Sequence, residues 1–215
     1  MRKLYIVGTG GFAKEVAQLA SEINSASSRW GAIEYLCETA EEIGKPMPYG
    51  KVVGTDAVLN ELAEPADVAV GIGQPRIRRK LGSRILENPL LGLPNLIHPA
   101  NGIDLEHVLL GRGNIITRGS AFTCDISIGD LNVFNLNSTV GHDAKVGSFN
   151  VVNPGCNISG GVSISDSCLL GTGCQVLEGV SIASKSTVGA GAVVVKDIEE
   201  EGLTYVGIPA RRLDT

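Results

Sequence analysis

A strict six-residue period in the second half of the chain constrains its fold more than any other feature. Every sixth residue from position 110 to position 194 is large and apolar without a break: Leu110, Ile116, Phe122, Ile128, Phe134, Val140, Val146, Val152, Ile158, Ile164, Leu170, Val176, Ile182, Val188 and Val194. A strand repeats its side-chain directions every two residues and a helix about every 3.6, so neither predicts this pattern. The period is typical of a hexapeptide solenoid, in which each hexad makes a short strand and a turn.

The six-residue period also predicts the shape of the solenoid. Three hexads close one triangular coil, and successive coils stack about 4.8 Å apart as parallel strands, so residues 18 apart lie above one another. The large aliphatic side chains fill the interior, while Gly, Asn and Asp at the corners allow the left-handed backbone conformations of tight turns. We therefore predict a left-handed parallel β-helix over residues 98–215.

Residues 1–97 have a different pattern, in which strands and helices alternate. An apolar strand, a glycine turn and an amphipathic helix from about Phe12 to Ile23 are predicted from "KLYIVGTGGFAKEVAQLA"; "AIEYL", "DVAVGIG" and "LPNLIHP" favour strands, and "TDAVLNELA" and "QPRIRRKLGSRIL" favour helices. This alternation predicts a small parallel, Rossmann-like α/β sheet. Gly8, Gly10 and Ala13 fit the phosphate-binding pattern G-x-G-x-x-A, although a tight strand-helix turn alone would use the same residues.

Composition limits the classes of function. The net charge of −5 and a pI near 5.2 argue against nucleic-acid binding, and we interpret the one basic cluster, Arg76 to Lys80, as the solvated side of a helix. The longest apolar runs are shorter than the roughly 18 residues of a membrane span, so a cytoplasmic protein is expected. The five cysteines include no C-x-x-C pair, which predicts reduced thiols, with Cys156, Cys168 and Cys174 as small core residues.

Several motifs along the whole chain resemble those of one family. "VGTGGFAKEV", "GIGQPRIRRK", "LIHPA", "GHDAKVG", "VGAGAVVVKD" and "VGIPARRL" are similar to segments of the NeuD/PglD group of sugar acyltransferases. The resemblance implies a homotrimeric left-handed β-helix enzyme that uses acetyl-CoA and no metal. It also implies N-acetylation of the 4-amino group of a nucleotide-linked 4-amino-4,6-dideoxysugar, of the UDP-linked bacillosamine precursor type, in bacterial glycan biosynthesis.

His142 and Asp143 are the candidate catalytic residues. His142 is the third residue of its hexad, so its side chain should leave the coil, where an exposed turn histidine is the simplest alternative. Attack of an amine on a thioester needs a base with a pKa near neutrality, and a neighbouring carboxylate can orient the imidazole and raise its basicity. In the resembling family, the matching histidine is the base and the following acid raises its basicity.

The resemblance also implies binding residues, although some positions depart from the family pattern. Phe12 stands where some relatives have histidine. Val151 stands where a relative has a histidine at the thioester end, so that contact is either absent or supplied by Asn150 or Asn153. The implied substrate-binding residues are Gly10, Gly11, Phe12, Glu38, Gly73 and Asn135, the last of which could equally be a corner residue. CoA would lie between neighbouring β-helices, on Gly160, Thr172, Gly173 and Ala190.

Two other functions remain open at this stage. The chain could be a sugar O-acetyltransferase of the sialic acid type, or a non-catalytic scaffold that binds sugar nucleotides and uses the β-helix only to trimerise. A zinc enzyme is disfavoured because His98, His107 and His142 lack the spacing of a three-histidine site.

Overall fold

The N-terminal part of the computed structural model, which describes residues 1–214, is a mainly parallel sheet with helices packed against it. Its strands follow the order β3-β4-β2-β1-β5-β6, and β3 is antiparallel to β4. The elements are β1 (Lys3–Val7), α1 (Gly11–Ser27), β2 (Ala32–Cys37), a 3-10 turn (Ala40–Glu42), β3 (Pro46–Met47), β4 (Gly50–Thr55), α2 (Val58–Glu61), β5 (Ala66–Val70), α3 (Pro75–Glu87) and β6 (Leu91–Gly92).

The predicted α/β alternation is present, with differences at the boundaries. Helix α1 buries its apolar stripe of Ala13, Val16, Ala17 and Ala20, as the spacing of those residues predicts. It continues to Ser27, four residues past its predicted end. The hairpin of β3 and β4 was not predicted, because its first strand is only two residues long and contains a proline.

The second part is a triangular prism of stacked coils with three strand-lined faces, as the six-residue period predicts. Face A contains β7 (Leu96–Ile97), β9 (Ile115–Ile116), β12 (Val133–Phe134), β15 (Val151–Val152), β18 (Leu169–Leu170), β21 (Thr187–Val188), β23 (Thr204–Val206) and β24 (Arg211–Arg212). Face B contains β10 (Ala121–Phe122), β13 (Thr139–Val140), β16 (Asn157–Ile158), β19 (Gln175–Val176) and β22 (Val193–Val194). Face C contains β8 (Val108–Leu110), β11 (Ile126–Ile128), β14 (Lys145–Val146), β17 (Ser163–Ile164) and β20 (Ser181–Ile182).

The side chains of the repeat fill the prism as expected. Phe134 pairs with Val152 and Val152 with Leu170, which is the predicted step of 18 residues. All members of the six-residue series are buried except Leu110 and Phe122, which pack against the same core. Three cysteines, Cys156, Cys168 and Cys174, are also fully buried in that core.

A column of asparagines stabilises the vertex between faces C and A, which we call the CA vertex. The side-chain Oδ1 of Asn132 accepts a hydrogen bond from the backbone N–H of Asn150 (2.9 Å). The backbone N–H of Asn132 donates in turn to the side-chain Oδ1 of Asn114 (2.9 Å). Asn150 accepts the N–H of Cys168 (2.7 Å), where the column ends. These asparagines therefore serve the turns through side-chain hydrogen bonds rather than through a left-handed backbone.

The α/β domain covers face A of the prism. Residues of α1 and β1 share a buried cluster with the outward-facing side chains Leu96, Ile115, Val133 and Val151. The first strand of face A, Leu96–Ile97, already pairs with Ile115–Ile116, so the β-helix sheet begins just before the predicted boundary at residue 98. The two domains are consequently joined by a continuous apolar core.

The basic cluster in α3 is exposed, as expected, at Arg76, Arg79 and Lys80, but not at Arg78. Arg78 is fully buried and donates to the carbonyls of Val70 (2.7 Å) and Ile72 (3.0 Å) and to that of Leu131 in the β-helix (3.1 Å). Burial lowers the pKa of Arg78 to about 9, so its guanidinium is still charged at neutral pH. Arg78 ties the end of β5 to the CA vertex, a role that hydrophobic periodicity cannot reveal.

Candidate active site

His142 and Asp143 form a tight turn at the vertex between faces B and C, which we call the BC vertex. Asp143 has a left-handed backbone (φ 60°), and its N–H donates to the carbonyl of Cys124 in the preceding coil (3.2 Å). The carbonyl of His142 accepts the N–H of Gly161 in the next coil (2.7 Å). The turn is thus fixed on both sides while both side chains leave the coil, with 58% and 67% of their surfaces exposed.

The two side chains are hydrogen-bonded to each other. His142 Nδ1 lies 2.8 Å from Asp143 Oδ2. This hydrogen bond is the main reason that the pKa of His142 is raised; the negative charges of Asp143 and Glu178 act in the same direction, and partial desolvation opposes them. With the Nδ1 proton donated to Asp143, Nε2 carries the free lone pair and is the basic atom of the ring.

The imidazole of His142 lies directly over Gly160 in the next coil. A Cβ at Gly160 would lie 2.6 Å from both Nε2 and Cε1 of His142, which is too close for any side chain. Gly160 was predicted to contact CoA, but in this chain it is buried and provides the space that the ring occupies. The ring therefore points along the prism, away from Cys124 and toward the turn that contains Glu178.

The carboxyl edge of the α/β sheet brings together most of the predicted substrate-binding residues. Strand β1 lies between β2 and β5, and parallel sheets bind ligands where strand order reverses in this way. Gly10 and Gly11 follow β1, Glu38 follows β2 and Gly73 follows β5, and all four are exposed. No side chain caps the first turn of α1, so its N–H groups remain available to an anion.

Phe12 has a different environment from its glycine neighbours. Its side chain is half-buried and packs with the interface cluster of α1 and face A, to which Leu169 also belongs. Phe12 therefore contributes to domain packing, which explains how an apolar residue can replace the histidine of some relatives.

The remaining predicted residues lie on the vertex between faces A and B, which we call the AB vertex. Asn135 directly follows β12 of face A, and its Oδ1 accepts the N–H of Leu136 (2.8 Å). Thr172, Gly173 and Ala190 lie in later turns of the same vertex. Within one chain, Asn135, Thr172, Gly173 and Ala190 therefore lie along one edge of face B, and the His142 turn lies on the other edge.

Two positions considered for the thioester contact are internal. Val151 is buried in the domain interface, and Asn150 is fully buried in the asparagine column. Of the alternatives for the thioester contact, Asn150 is excluded, because it is fully buried and its carbonyl oxygen already accepts the Cys168 N–H. Asn153 follows β15 at the AB vertex and is half-buried.

The other two histidines, His98 and His107, each lie beside a carboxylate away from the His142 turn. His98 is buried at the domain junction, with Nε2 2.9 Å from Glu22 of α1, and its Nδ1 accepts the N–H of Ala100 (3.1 Å). His107 is exposed and lies 3.4 Å from Asp125. Among residues 1–214, no three His, Cys, Asp or Glu side chains are grouped so as to hold a metal ion.

Within the same described range, no helix combines the length and apolar character that a membrane span requires.

Comparison with known proteins gives matches over the whole chain. The family model described as the PglD N-terminal domain matches residues 3–85. The acetyltransferase domain of PglB from Neisseria gonorrhoeae FA1090 is 31% identical, with 99% of this chain and 100% of that chain covered and a TM-score of 0.89. PerB from Caulobacter crescentus, solved with CoA and GDP-perosamine, is 30% identical over 100% and 98% of the two chains, with a TM-score of 0.87. A search of curated protein sequences found no match.

The left-handed β-helix and the exposed histidine-carboxylate turn define a hexapeptide-repeat acyltransferase. With the similarity to PglB and PerB over their full lengths, the chain belongs to the NeuD/PglD family of sugar acetyltransferases. The predicted fold class and the predicted class of enzyme, an acetyl-CoA-dependent sugar acetyltransferase, are confirmed.

Proposed function

We propose that this protein transfers the acetyl group of acetyl-CoA to the 4-amino group of a nucleotide-linked 4-amino-4,6-dideoxysugar, with His142 as the general base. The observation that carries the proposal is the exposed imidazole whose Nδ1 is held by Asp143 at 2.8 Å and whose Nε2 lies in the space above Gly160. A base oriented in this way suits removal of a proton from an attacking amine.

The proposed reaction needs one proton acceptor and no other co-reactant. The amine lone pair attacks the thioester carbonyl carbon, a C–N bond forms, and His142 Nε2 takes the N–H proton. The C–S bond then breaks, and the departing CoA thiolate takes that proton from the imidazolium. Asp143 accepts the Nδ1 hydrogen bond throughout and stabilises the imidazolium while it exists.

Complexes of relatives support this choice of substrates. PglB from Neisseria gonorrhoeae was solved with acetyl coenzyme A, and PerB with CoA and GDP-perosamine. Two PerB mutants in which a histidine is replaced by asparagine or alanine were also solved with both molecules bound. PerB without that histidine can therefore still hold both molecules in a crystal, which is compatible with a residue that acts on a proton.

The positions of the site residues favour a homotrimer with shared active sites. The α/β domain covers face A, whereas His142 is at the BC vertex, which is the vertex opposite that face. A sugar held at the carboxyl edge of one subunit would therefore reach His142 of a neighbouring subunit. A groove between two subunits would also bring Thr172, Gly173 and Ala190 of one AB vertex close to the BC vertex of the next, with acetyl-CoA between them.

Release of free CoA thiol tests the proposal directly. Wild-type protein is incubated with acetyl-CoA and a panel of UDP-, dTDP- and GDP-linked 4-amino-4,6-dideoxysugars, beginning with the UDP-linked bacillosamine precursor. The matching 4-hydroxy sugars serve as controls, because turnover of these alone would indicate O-acetylation. We expect His142→Ala to lower kcat by about 10²-fold or more.

The histidine variant should retain its fold, because the side chain lies outside the core. Circular dichroism and sedimentation of His142→Ala should match those of the wild type. A correctly folded His142→Ala protein with near-wild-type turnover would contradict the role of His142 as the base.

A further inference from the structure

A basic crevice separates the start of α3 from the upper coils of face A. It has a volume of about 580 Å³ and is lined by residues of both domains, including Arg76 and Arg79 of α3 and Ser167, Lys185 and Thr187 of the β-helix. Ser167 is 8% exposed, so its hydroxyl is a buried polar group at the wall of the crevice. The crevice is large enough for part of a small ligand.

The charges around the crevice are predominantly positive. Arg79 extends toward the β-helix, with its guanidinium over the ring of Phe149 and Nη1 3.5 Å from Ser167 Oγ. Within residues 1–214, Arg76 makes no ion pair, and no carboxylate lines the crevice. Lys185 pairs with Glu201 at 3.2 Å on the exposed side. Arginine and lysine side chains that converge in this way suit an anion with several oxygens.

The crevice adjoins the carboxyl edge of the α/β sheet. Gln74 lines it and directly follows Gly73, which belongs to the predicted sugar-nucleotide site. Helix α3 begins at Pro75 without a side-chain cap, so the positive end of the helix contributes to the same region. A nucleotide held at this edge has its negative charge in its phosphates, and the crevice is where the chain offers the compensating charges.

CoA also carries phosphates, but its predicted binding residues lie elsewhere. Thr172, Gly173 and Ala190 are on the AB vertex, whereas Ser167 and Lys185 belong to the CA vertex at the other end of face A. The crevice therefore fits the sugar nucleotide better than the acyl donor.

We propose that this crevice binds the diphosphate of the nucleotide-linked sugar, with Arg76, Arg79 and Lys185 as its counter-charges. The inference rests on the proposed function, and it assigns a binding role to both domains, because Lys185 belongs to the β-helix. The sugar nucleotide then bridges α3 and the prism.

Calorimetric titration tests the site with UDP, dTDP and GDP and with the matching nucleosides. We expect at least one diphosphate to bind the wild type more tightly than its nucleoside. Arg76→Ala and Lys185→Ala should each weaken that diphosphate about tenfold or more and leave nucleoside binding unchanged. Lys80→Ala is the matched control, because Lys80 is an exposed cation of α3 that does not line the crevice. Arg79 is left intact because it also packs on Phe149.

The following results would contradict the proposal that the crevice binds the diphosphate. Unchanged diphosphate affinity in Arg76→Ala and Lys185→Ala, or no binding of any of the three diphosphates to the wild type, removes the site. Weaker binding of CoA to Lys185→Ala, with unchanged diphosphate binding, would assign the crevice to the donor instead. Turnover separates this inference from the proposed function. If the wild type acetylates a nucleotide-linked amino sugar and both variants have the wild-type KM for that sugar, the crevice is not the diphosphate site, but the proposed function stands.

Discussion

At the residue scale, His142 depends on three neighbours that act in different ways. Asp143 holds Nδ1, Gly160 leaves room for the ring, and Glu178, in a later turn of the same vertex, adds a negative charge on the side toward which the ring points. The glycine matters for the position of the ring, because a side chain at position 160 would displace the imidazole from the place it occupies. Sequence reasoning identified the pair but assigned Gly160 only to CoA.

The pH dependence of the reaction should reflect these neighbours. The pKa of His142 is raised above its usual value of 6.5, so the base becomes protonated at a higher pH than an ordinary histidine, and kcat/KM should begin to fall at that higher pH. Asp143→Asn removes the negative charge and replaces the carboxylate acceptor by a weaker, neutral one, so the acid limb of kcat/KM should move to lower pH. Glu178→Gln should move it in the same direction by less, since Glu178 acts through its charge alone.

Profiles of all variants are measured with the same substrate, so that titration of the substrate amine is common to them. Glu64→Gln, at an exposed position in the α/β domain, is the control and should leave the limb in place. An Asp143→Asn profile that coincides with the wild-type profile would show that the limb does not report His142.

At the element scale, the vertices of the prism are specialised. The BC vertex presents the exposed side chains of His142 and Asp143, whereas the CA vertex contains the buried column of Asn114, Asn132 and Asn150. The column supplies hydrogen bonds to backbone N–H groups that would otherwise be unpaired inside the protein. Rigid packing at the CA vertex also fixes the surface on which α3 rests.

Removal of the middle asparagine should therefore destabilise the β-helix. Asn132→Ala leaves the Asn150 N–H without its acceptor and removes the bond from Asn132 Nδ2 to the Gly147 carbonyl (2.9 Å). We expect a loss of about 2 kcal/mol or more in the free energy of unfolding, measured by urea denaturation at fixed protein concentration. Asn60→Ala, at an exposed position in α2, should change that free energy by less than about 0.5 kcal/mol. Equal stability of the two variants would contradict this role of the column.

The features that could be predicted from the sequence are those that hydrophobic periodicity encodes. The prism follows from its six-residue period, and α1 follows from its apolar stripe. Arg78 could not be predicted to be buried, because the charge that would normally keep it in water is compensated by carbonyls from distant parts of the chain. The asparagine column was missed although its residues are 18 apart, the spacing at which coils stack, because hydrophobic periodicity takes no account of polar residues.

At the scale of the whole molecule, the proposed substrate-binding domain and the proposed catalytic base lie on opposite sides of the prism. Face A is covered by the α/β domain of the same chain, and His142 is at the opposite vertex. The proposed trimer resolves this separation, because each active site would combine two subunits. Activity would then be a property of the assembly rather than of a single chain.

Mixed trimers provide a test of shared sites. His142→Ala removes the base, and Gly11→Glu places a carboxylate at the start of α1, where a Cβ would meet no atom within 4 Å. Each variant alone should be inactive. Trimers that contain both variants should recover about one third of wild-type activity, because one of the three interfaces in each such trimer combines an intact α/β domain with an intact His142.

The assay is thiol release from differently tagged, co-purified subunits. The double variant His142→Ala with Gly11→Glu, co-expressed with wild type, controls for assembly. Co-purified trimers of the two single variants that show no recovery would mean that each chain uses its own base.

The period of the prism also restricts how such a protein can change in length. An insertion of 18 residues before His142 would add one coil and return the histidine to the BC vertex, whereas an insertion of six would turn every later residue by one face. His142 would then lie at the CA vertex, next to α3, although its local sequence would be unchanged. The coil thus imposes a reading frame of its own on insertions and deletions: those that are not multiples of 18 residues preserve the motif but lose its position.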